Sequence, residues 1–373
     1  MRILSVFGTR PEAVKMAPVI SALRKVPSLE AKVCVTAQHR QMLDQVLEIF
    51  AIQPDFDLDL MQEDQSLAQL SAGIFSRLDP VFADFDPDWI LIQGDTTTVA
   101  ITALLAYYRR VRVGHVEAGL RTHDKWQPFP EEINRRVAGV IADLHFAPTA
   151  WARENLLREG VNPEQIIITG NPVIDALRFV AAQPAPDEIT HLLEELGVSE
   201  AGKRLILVTA HRRENFGDPI EKICRSLRDL ASRGDVEIVY PVHLNPHVQE
   251  PVKRMLDAVP HITLLPPLDY LPMVHLMKKS AIALTDSGGI QEEAPTFGVP
   301  TLVMREVTER PEGLEAGTLR LVGTDPIRIL AETNRLLDDP NAYSAMAKAS
   351  NPFGDGHAGE RIVDALLAKS AEA

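Results

Sequence analysis

The strongest constraint on this chain is a strand and helix pattern that occurs twice. In the first half, short runs rich in β-branched residues lie at Ile3 to Phe7, Ala31 to Thr36, Trp89 to Ile92, Val111 to Val116 and Leu144 to Ala147. They alternate with helical stretches at Pro11 to Lys25, Arg40 to Phe50, Ser66 to Phe85, Thr97 to Arg109 and Glu131 to Ala142. The runs lack polar alternation, as expected of strands covered by helices on both faces of a parallel sheet. A doubly wound α/β domain is predicted. The pattern restarts at Leu205 to Thr209 and continues through Val236 to Tyr240, Ile262 to Leu265, Ala281 to Leu284, Thr301 to Val303 and Leu319 to Val322, which predicts a second α/β domain. The boundary is expected between Asn171 and Lys203, where Pro184 and Pro186 interrupt the pattern and no strand signal occurs. The expected division is 1–175, 200–355, and a terminal segment 356–373 whose helix the Gly-rich turn Asn351 to His357 could carry back to the first domain.

The length of 373 residues suits two domains at roughly 100 to 200 residues each. A net charge of −14 argues against general binding to nucleic acid or an anionic membrane, although a local basic pocket is compatible with it. The apolar run at the N-terminus is too short for a signal-peptide core or a membrane span, so a cytoplasmic protein is expected. Cys34 and Cys224 have no metal-ligand spacing and are expected in the core of a protein from a reducing compartment.

In an open parallel sheet, ligands bind outside the carboxyl ends of the strands, so strand exits are where chemistry is expected. The first exit reads Gly8-Thr-Arg-Pro-Glu-Ala-Val-Lys15, which lacks the Gly-x-Gly-x-x-Gly dinucleotide fingerprint. With Pro11 at the first helical position, Arg10 and Lys15 place cations near the positive end of a helix. They are either solvated or matched by a bound anion such as phosphate. Asp95 follows the strand Trp89 to Ile92, either as a helix cap or as a reagent. Glu117 follows Val111 to Val116, either paired with Arg121 or facing the crevice. Glu131 and Glu132 open a helix, where acids are favourable in any case. Taken together, Asp95, Glu117 and Glu131 sit on the crevice side of one domain, and convergent carboxylates push their pKa values apart. Acid and base work on a C–H or O–H follows, with no metal.

The second domain brings the opposite charge. Its first strand ends in Thr209-Ala-His211-Arg212-Arg213, and another exit reads Thr285-Asp-Ser287-Gly288-Gly289. That glycine-rich entry is either an ordinary strand-to-helix turn or a place where a diphosphate approaches backbone N–H groups. Glu293 is one turn further on, within reach of a ribose hydroxyl pair, and Arg310 adds a cation. Acids in one domain and phosphate-holding groups in the other describe an enzyme for a nucleotide-linked substrate.

The motifs Gly8-Thr-Arg-Pro-Glu-Ala-Val-Lys-Met-Ala-Pro18, Thr36-Ala-Gln-His-Arg-Gln41, Gly94-Asp-Thr-Thr-Thr98, Gly114-His-Val-Glu-Ala-Gly-Leu-Arg121, His211-Arg-Arg-Glu-Asn215, Val242-His-Leu-Asn-Pro246 and Thr285-Asp-Ser-Gly-Gly-Ile-Gln-Glu-Glu-Ala-Pro295 occur in order. Together they resemble the non-hydrolysing UDP-N-acetylglucosamine 2-epimerases, from Met1 to about Ala368. The resemblance implies two Rossmann-like domains facing across a cleft, as in the GT-B architecture, with the nucleotide held by the second. It implies inversion at sugar C2 between UDP-N-acetylglucosamine and UDP-N-acetylmannosamine, without cofactor or metal, by elimination of UDP to 2-acetamidoglucal and re-addition. The implied acid/base group is Asp95, Glu117 and Glu131, with His211 assisting the leaving diphosphate. Arg10, Lys15, Met273, Ser287, Gly288, Gly289, Glu293 and Arg310 are implied to bind the UDP-sugar. A second UDP-N-acetylglucosamine is implied as activator at Gln38, Gln41, Glu131, Arg212 and His243, as are a homodimer and a role in polysaccharide precursor supply. Two stretches depart from the usual family pattern, Pro267-Leu-Asp-Tyr-Leu-Pro-Met273 near the uracil and Lys125-Trp-Gln-Pro-Phe-Pro130 near the sugar. The alternatives are a UDP-sugar glycosyltransferase of the same architecture, the hydrolysing epimerase, a sensor without turnover, and an epimerase of a 2,3-diacetamido sugar.

Overall fold

The computed structural model describes residues 1–36, 40–60, 64–198 and 202–371. The chain divides into two units, one comprising Met1–Arg178 with Phe353–Ala373 and the other Phe179–Pro352.

The sheet of the first unit contains β1 (Arg2–Phe7), β2 (Glu30–Val35), β3 (Phe56–Asp57), β4 (Trp89–Gln93), β5 (Arg112–Val116), β6 (Leu144–Ala147) and β7 (Ile166–Ile168). All are parallel, in the order β3-β2-β1-β4-β5-β6-β7. The second sheet contains β8 (Arg204–Thr209), β9 (Val236–Pro241), β10 (Ile262–Leu265), β11 (Ile282–Thr285), β12 (Thr301–Val303) and β13 (Leu319–Leu321), ordered β10-β9-β8-β11-β12-β13. In each sheet the chain moves outward from its first strand and then returns to that strand's other side. The order therefore reverses between β1 and β4 and between β8 and β11, and such switch points are where open sheets bind ligands.

Strands read as continuous apolar runs are buried along both faces. Trp89, Ile90, Leu91 and Ile92 of β4 are all buried, as are Leu205 to Val208 of β8. The expected strands Ile3 to Phe7 and Leu205 to Thr209 lie within β1 and β8. The short outer strands β3 and β7 were not expected from sequence.

Three details depart from the sequence expectation. The first helix, Arg10–Arg24, begins one residue early because Thr9 rather than Arg10 is its cap, which makes Pro11 its second residue and not its first. The second unit begins at Phe179, and the helix Asp187–Glu195 packs on the helix Tyr270–Lys278 within it. Residues 353–355 belong with the first unit, where the Asn171 amide donates to the Phe353 carbonyl at 2.7 Å.

The last helix, Ala358–Ala371, packs on Arg10–Arg24. Ala358, Ile362, Val363 and Leu366 are buried there. Gly359 makes the close approach possible: a β-carbon at this position would lie 2.9 Å from the Pro18 carbonyl oxygen. Cys34 and Cys224 are free and buried, and burial pushes both thiols up to about 12, so they remain protonated at neutral pH. Among the described residues, no helix is long and apolar enough to cross a membrane.

Candidate active site

In the first unit, Thr9-Arg-Pro-Glu12 forms a capping box. The Glu12 amide donates to the Thr9 hydroxyl, and the Glu12 carboxylate accepts from the Gly8 and Thr9 amides at 2.9 and 2.7 Å. Its other oxygen accepts from the Thr96 hydroxyl at 2.6 Å, so one buried carboxylate ties the exit of β1 to the exit of β4. Burial raises the Glu12 carboxyl above its ordinary value against the opposition of these donors. Glu12 is absent from the expected site residues, although its Thr-x-x-Glu spacing was a readable signal.

Glu117 is the first residue after β5. Its backbone is left-handed, with φ of 60°, and it is 6 % exposed. Lys15 Nζ lies 2.5 Å from Glu117 Oε1, and Asn171 Nδ2 donates to the same oxygen at 2.9 Å. The Gln93 side-chain amide donates to Oε2. Lys15 thus reaches from the second turn of its helix to a buried carboxylate. The alternative pairing of Glu117 with Arg121 is not formed, because Arg121 holds Glu159 through two N–H groups at 2.8 and 2.7 Å.

Nor does Asp95 cap the next helix. Thr96 does so, accepting from the Val99 amide. Asp95 instead accepts from Arg135 at 2.5 Å. Arg135 lies one turn after Glu131 on the helix Glu131–Ile141, and residues four apart share a helix face, so Glu131 projects from the face that meets Asp95. Glu131 Oε2 is buried and has no hydrogen-bond partner among the described residues. Its neighbour Glu132, fully buried, accepts from the Thr122 and His123 amides at 3.1 Å and holds Arg135 at 3.4 Å. Of the two adjacent acids, one anchors a loop and the other keeps an uncommitted oxygen.

Gly94, next to Asp95 in the chain, stands close to Glu117: a β-carbon on it would lie 3.7 Å from Glu117 Oε2. His115 Nε2 lies 2.7 Å from the Gly94 carbonyl. Burial pushes His115 down to about 3, so the ring is neutral and must donate its one N–H to that oxygen.

The second unit has a cationic cluster of its own. Asp286, fully buried after β11, accepts from the His211 amide at 2.8 Å, the Arg212 amide at 2.8 Å and the Asn215 side chain at 2.9 Å. This carboxylate, unmarked in the sequence among its polar neighbours, fixes the loop that presents His211. The His211 ring stacks on His243 at 5.4 Å between centroids, and its Nδ1 lies 3.6 Å from Asp286 Oδ1. Burial holds His211 below its ordinary value even though Asp286 pulls the other way.

Ser287 precedes the helix Gly288–Glu293 without a side-chain cap. A β-carbon on Gly288 would stand 3.3 Å from the Arg310 guanidinium and 3.6 Å from that of Arg212, so two cations converge on this glycine. Arg310 is oriented by Glu292 at 2.7 Å and Glu309 at 3.0 Å. Glu292 is another residue not expected from sequence, which favoured Glu293. Glu293 is buried, and its Oε1 lies 3.8 Å from the β-carbon position of Gly289. Met273 is half-buried in the helix Tyr270–Lys278. Gln38 lies outside the described residues, and Gln41 falls in the helix Arg40–Ile49.

Fold and site together define a class: an enzyme of two doubly wound α/β units, with buried carboxylates at the strand exits of one and arginines converging on a glycine-started helix in the other. A family profile described as UDP-N-acetylglucosamine 2-epimerase matches residues 21–367. The UDP-N-acetylglucosamine 2-epimerase of Salmonella typhimurium is 55% identical over 369 residues, covering 98% of each chain. The crystal structure of the Neisseria meningitidis UDP-GlcNAc 2-epimerase bound to UDP-GlcNAc is similar with a TM-score of 0.89 at 46% identity, over 99% of this chain and 100% of that one. A MnaA–UDP co-structure from S. aureus aligns with a TM-score of 0.88 at 45% identity, over 99% and 97% of the two chains. The chain belongs to the UDP-N-acetylglucosamine 2-epimerase family.

Proposed function

We propose that this protein interconverts UDP-N-acetylglucosamine and UDP-N-acetylmannosamine by inverting sugar C2. No carbonyl adjoins C2, so its hydrogen is too weakly acidic for direct removal. In the elimination route a carboxylate takes the C2 proton while the C1–O bond to the diphosphate breaks. The C–H electron pair becomes the C1=C2 double bond of 2-acetamidoglucal, and UDP leaves with the C1–O pair. In the return step a UDP oxygen rejoins C1, and a proton reaches C2 from the opposite face.

The observation that carries this reading is the placement of Asp95 and Glu117 at strand exits of the first unit and the convergence of Arg212 and Arg310 on Gly288 in the second. Asp95, Glu117 and Glu131 supply proton transfer from the first, and the uncommitted Glu131 Oε2 supports a role in moving a proton. Lys15 serves as counter-ion to Glu117 and, with Arg10, binds the UDP-sugar. In the second unit, Arg310, Ser287, Gly288, Gly289, Glu293 and Met273 hold the UDP, and His211 donates a hydrogen bond to the departing diphosphate. A second UDP-N-acetylglucosamine binds as activator through Gln38, Gln41, Arg212 and His243. The protein acts as a cytoplasmic homodimer in supplying polysaccharide precursors.

Incubation with UDP-N-acetylglucosamine in heavy water is the test. Deuterium should enter C2, and both UDP-sugars should appear without stoichiometric free UDP. Asp95→Asn and Glu117→Gln should each abolish turnover while UDP still binds. Failure of the parent protein to incorporate deuterium would sink the epimerase reading.

A further inference from the structure

Asn171 looks like an ordinary helix cap. Its Oδ1 accepts from the Val173 amide at 3.1 Å at the start of the helix Pro172–Ala181, and Pro172 between them has no N–H to offer. That bond fixes which way round the side-chain amide lies. With Oδ1 committed to the cap, Nδ2 is turned to Glu117 Oε1 at 2.9 Å. The backbone is held as firmly, since the Asn171 N–H donates to the Phe353 carbonyl at 2.7 Å. Gly170 beside it packs against Gly354, whose Cα would lie 3.3 Å from a β-carbon there. The residue is 1 % exposed.

We infer that Asn171 is a positioning residue for Glu117: its cap bond and its Phe353 anchor aim one amide N–H at the carboxylate and hold it opposite Lys15. This deepens the epimerase reading above and rests on it for its effect on turnover. Asp caps helices as well as Asn does, and Ser nearly so, but Asp has no N–H to donate, and the Ser hydroxyl, one bond shorter, does not put a donor where Nδ2 stands. The residue type is therefore set by the carboxylate as well as by the helix.

Two measurements test this. In Asn171→Asp two carboxylates face each other, and the thermal midpoint should fall by about 3 °C or more. In a Glu117→Gln background the new carboxylate meets an amide donor, so the same change should cost little. An equal fall in both backgrounds would overturn the inference. Asn171→Ser keeps a cap and takes the Nδ2 amide away from Glu117. Its kcat should fall about ten- to a hundredfold, the size expected for losing one hydrogen bond to a charged group. Its KM for UDP-N-acetylglucosamine should change less than about threefold, since the loss acts on a reacting group rather than on uniform binding. An unchanged kcat, or a loss confined to KM, would overturn it. If the parent protein shows no exchange at C2, the epimerase reading fails alone, and the midpoint comparison still decides whether Asn171 holds Glu117.

Discussion

His115 and His145 stand opposite each other on β5 and β6, and burial pushes them down to about 3 and about 4 respectively. An unfolded chain would protonate both near pH 6.5. Between that value and the folded values the unfolded state binds more protons, so stability rises with pH across this window and falls as pH drops through it. At pH 5 each histidine should cost on the order of 2 kcal/mol relative to neutral pH. Midpoints recorded between pH 7 and pH 5 for the parent and for His145→Gln should show a shallower slope in the variant. Identical slopes would remove His145 from this account. Legibility at this scale was uneven. Asp95, Glu117 and Glu131 stood out as acids at strand and helix ends. Asn171 does not, because capping alone accounts for an Asn at a helix start and nothing in the spacing points to Glu117. Which of Glu131 and Glu132 keeps an uncommitted oxygen depends on the Thr122 and His123 amides, a contact across a loop that residue spacing does not encode.

At the scale of elements, the central strands were readable because both their faces are buried, which turns a strand into an unbroken apolar run. β3 and β7 were not. They are edge strands of two and three residues, and β7 leaves Ile168 47 % exposed, so neither carries a run long enough to register. The helix Pro340–Ala347 also went unread, being short and only weakly apolar on one side. Helix Ala358–Ala371 offers a test that separates propensity from packing. Alanine favours helix over glycine by about 1 kcal/mol. At Gly359 the added β-carbon would meet the Pro18 carbonyl at 2.9 Å, a fixed backbone atom. Overpacking of this kind costs about 1 to 3 kcal/mol. Gly359→Ala should therefore lower the thermal midpoint, and a rise would show that the two helices part without penalty.

For the whole molecule, the net charge of −14 coexists with Arg212 and Arg310 converging on Gly288, so global charge and local chemistry have opposite signs. The larger consequence concerns chain order. The first unit is built from residues 1–178 and 353–373, with the second unit inserted between them. A chain ending at Pro352 would leave the buried face of Arg10–Arg24 without Ile362 and Leu366. Limited proteolysis of such a chain should cut within residues 1–178 and spare 179–352. Equal protection of both would show that the last helix is dispensable.

The helix Ala358–Ala371 also sets a clock on synthesis. A ribosome releases residues 1–178 first, yet the apolar seam beside Pro18 must wait for the whole second unit to emerge before its covering helix exists. The nascent first unit thus spends that interval with an open flank. When Gly359 closes over Pro18, segments 341 residues apart in the chain are joined.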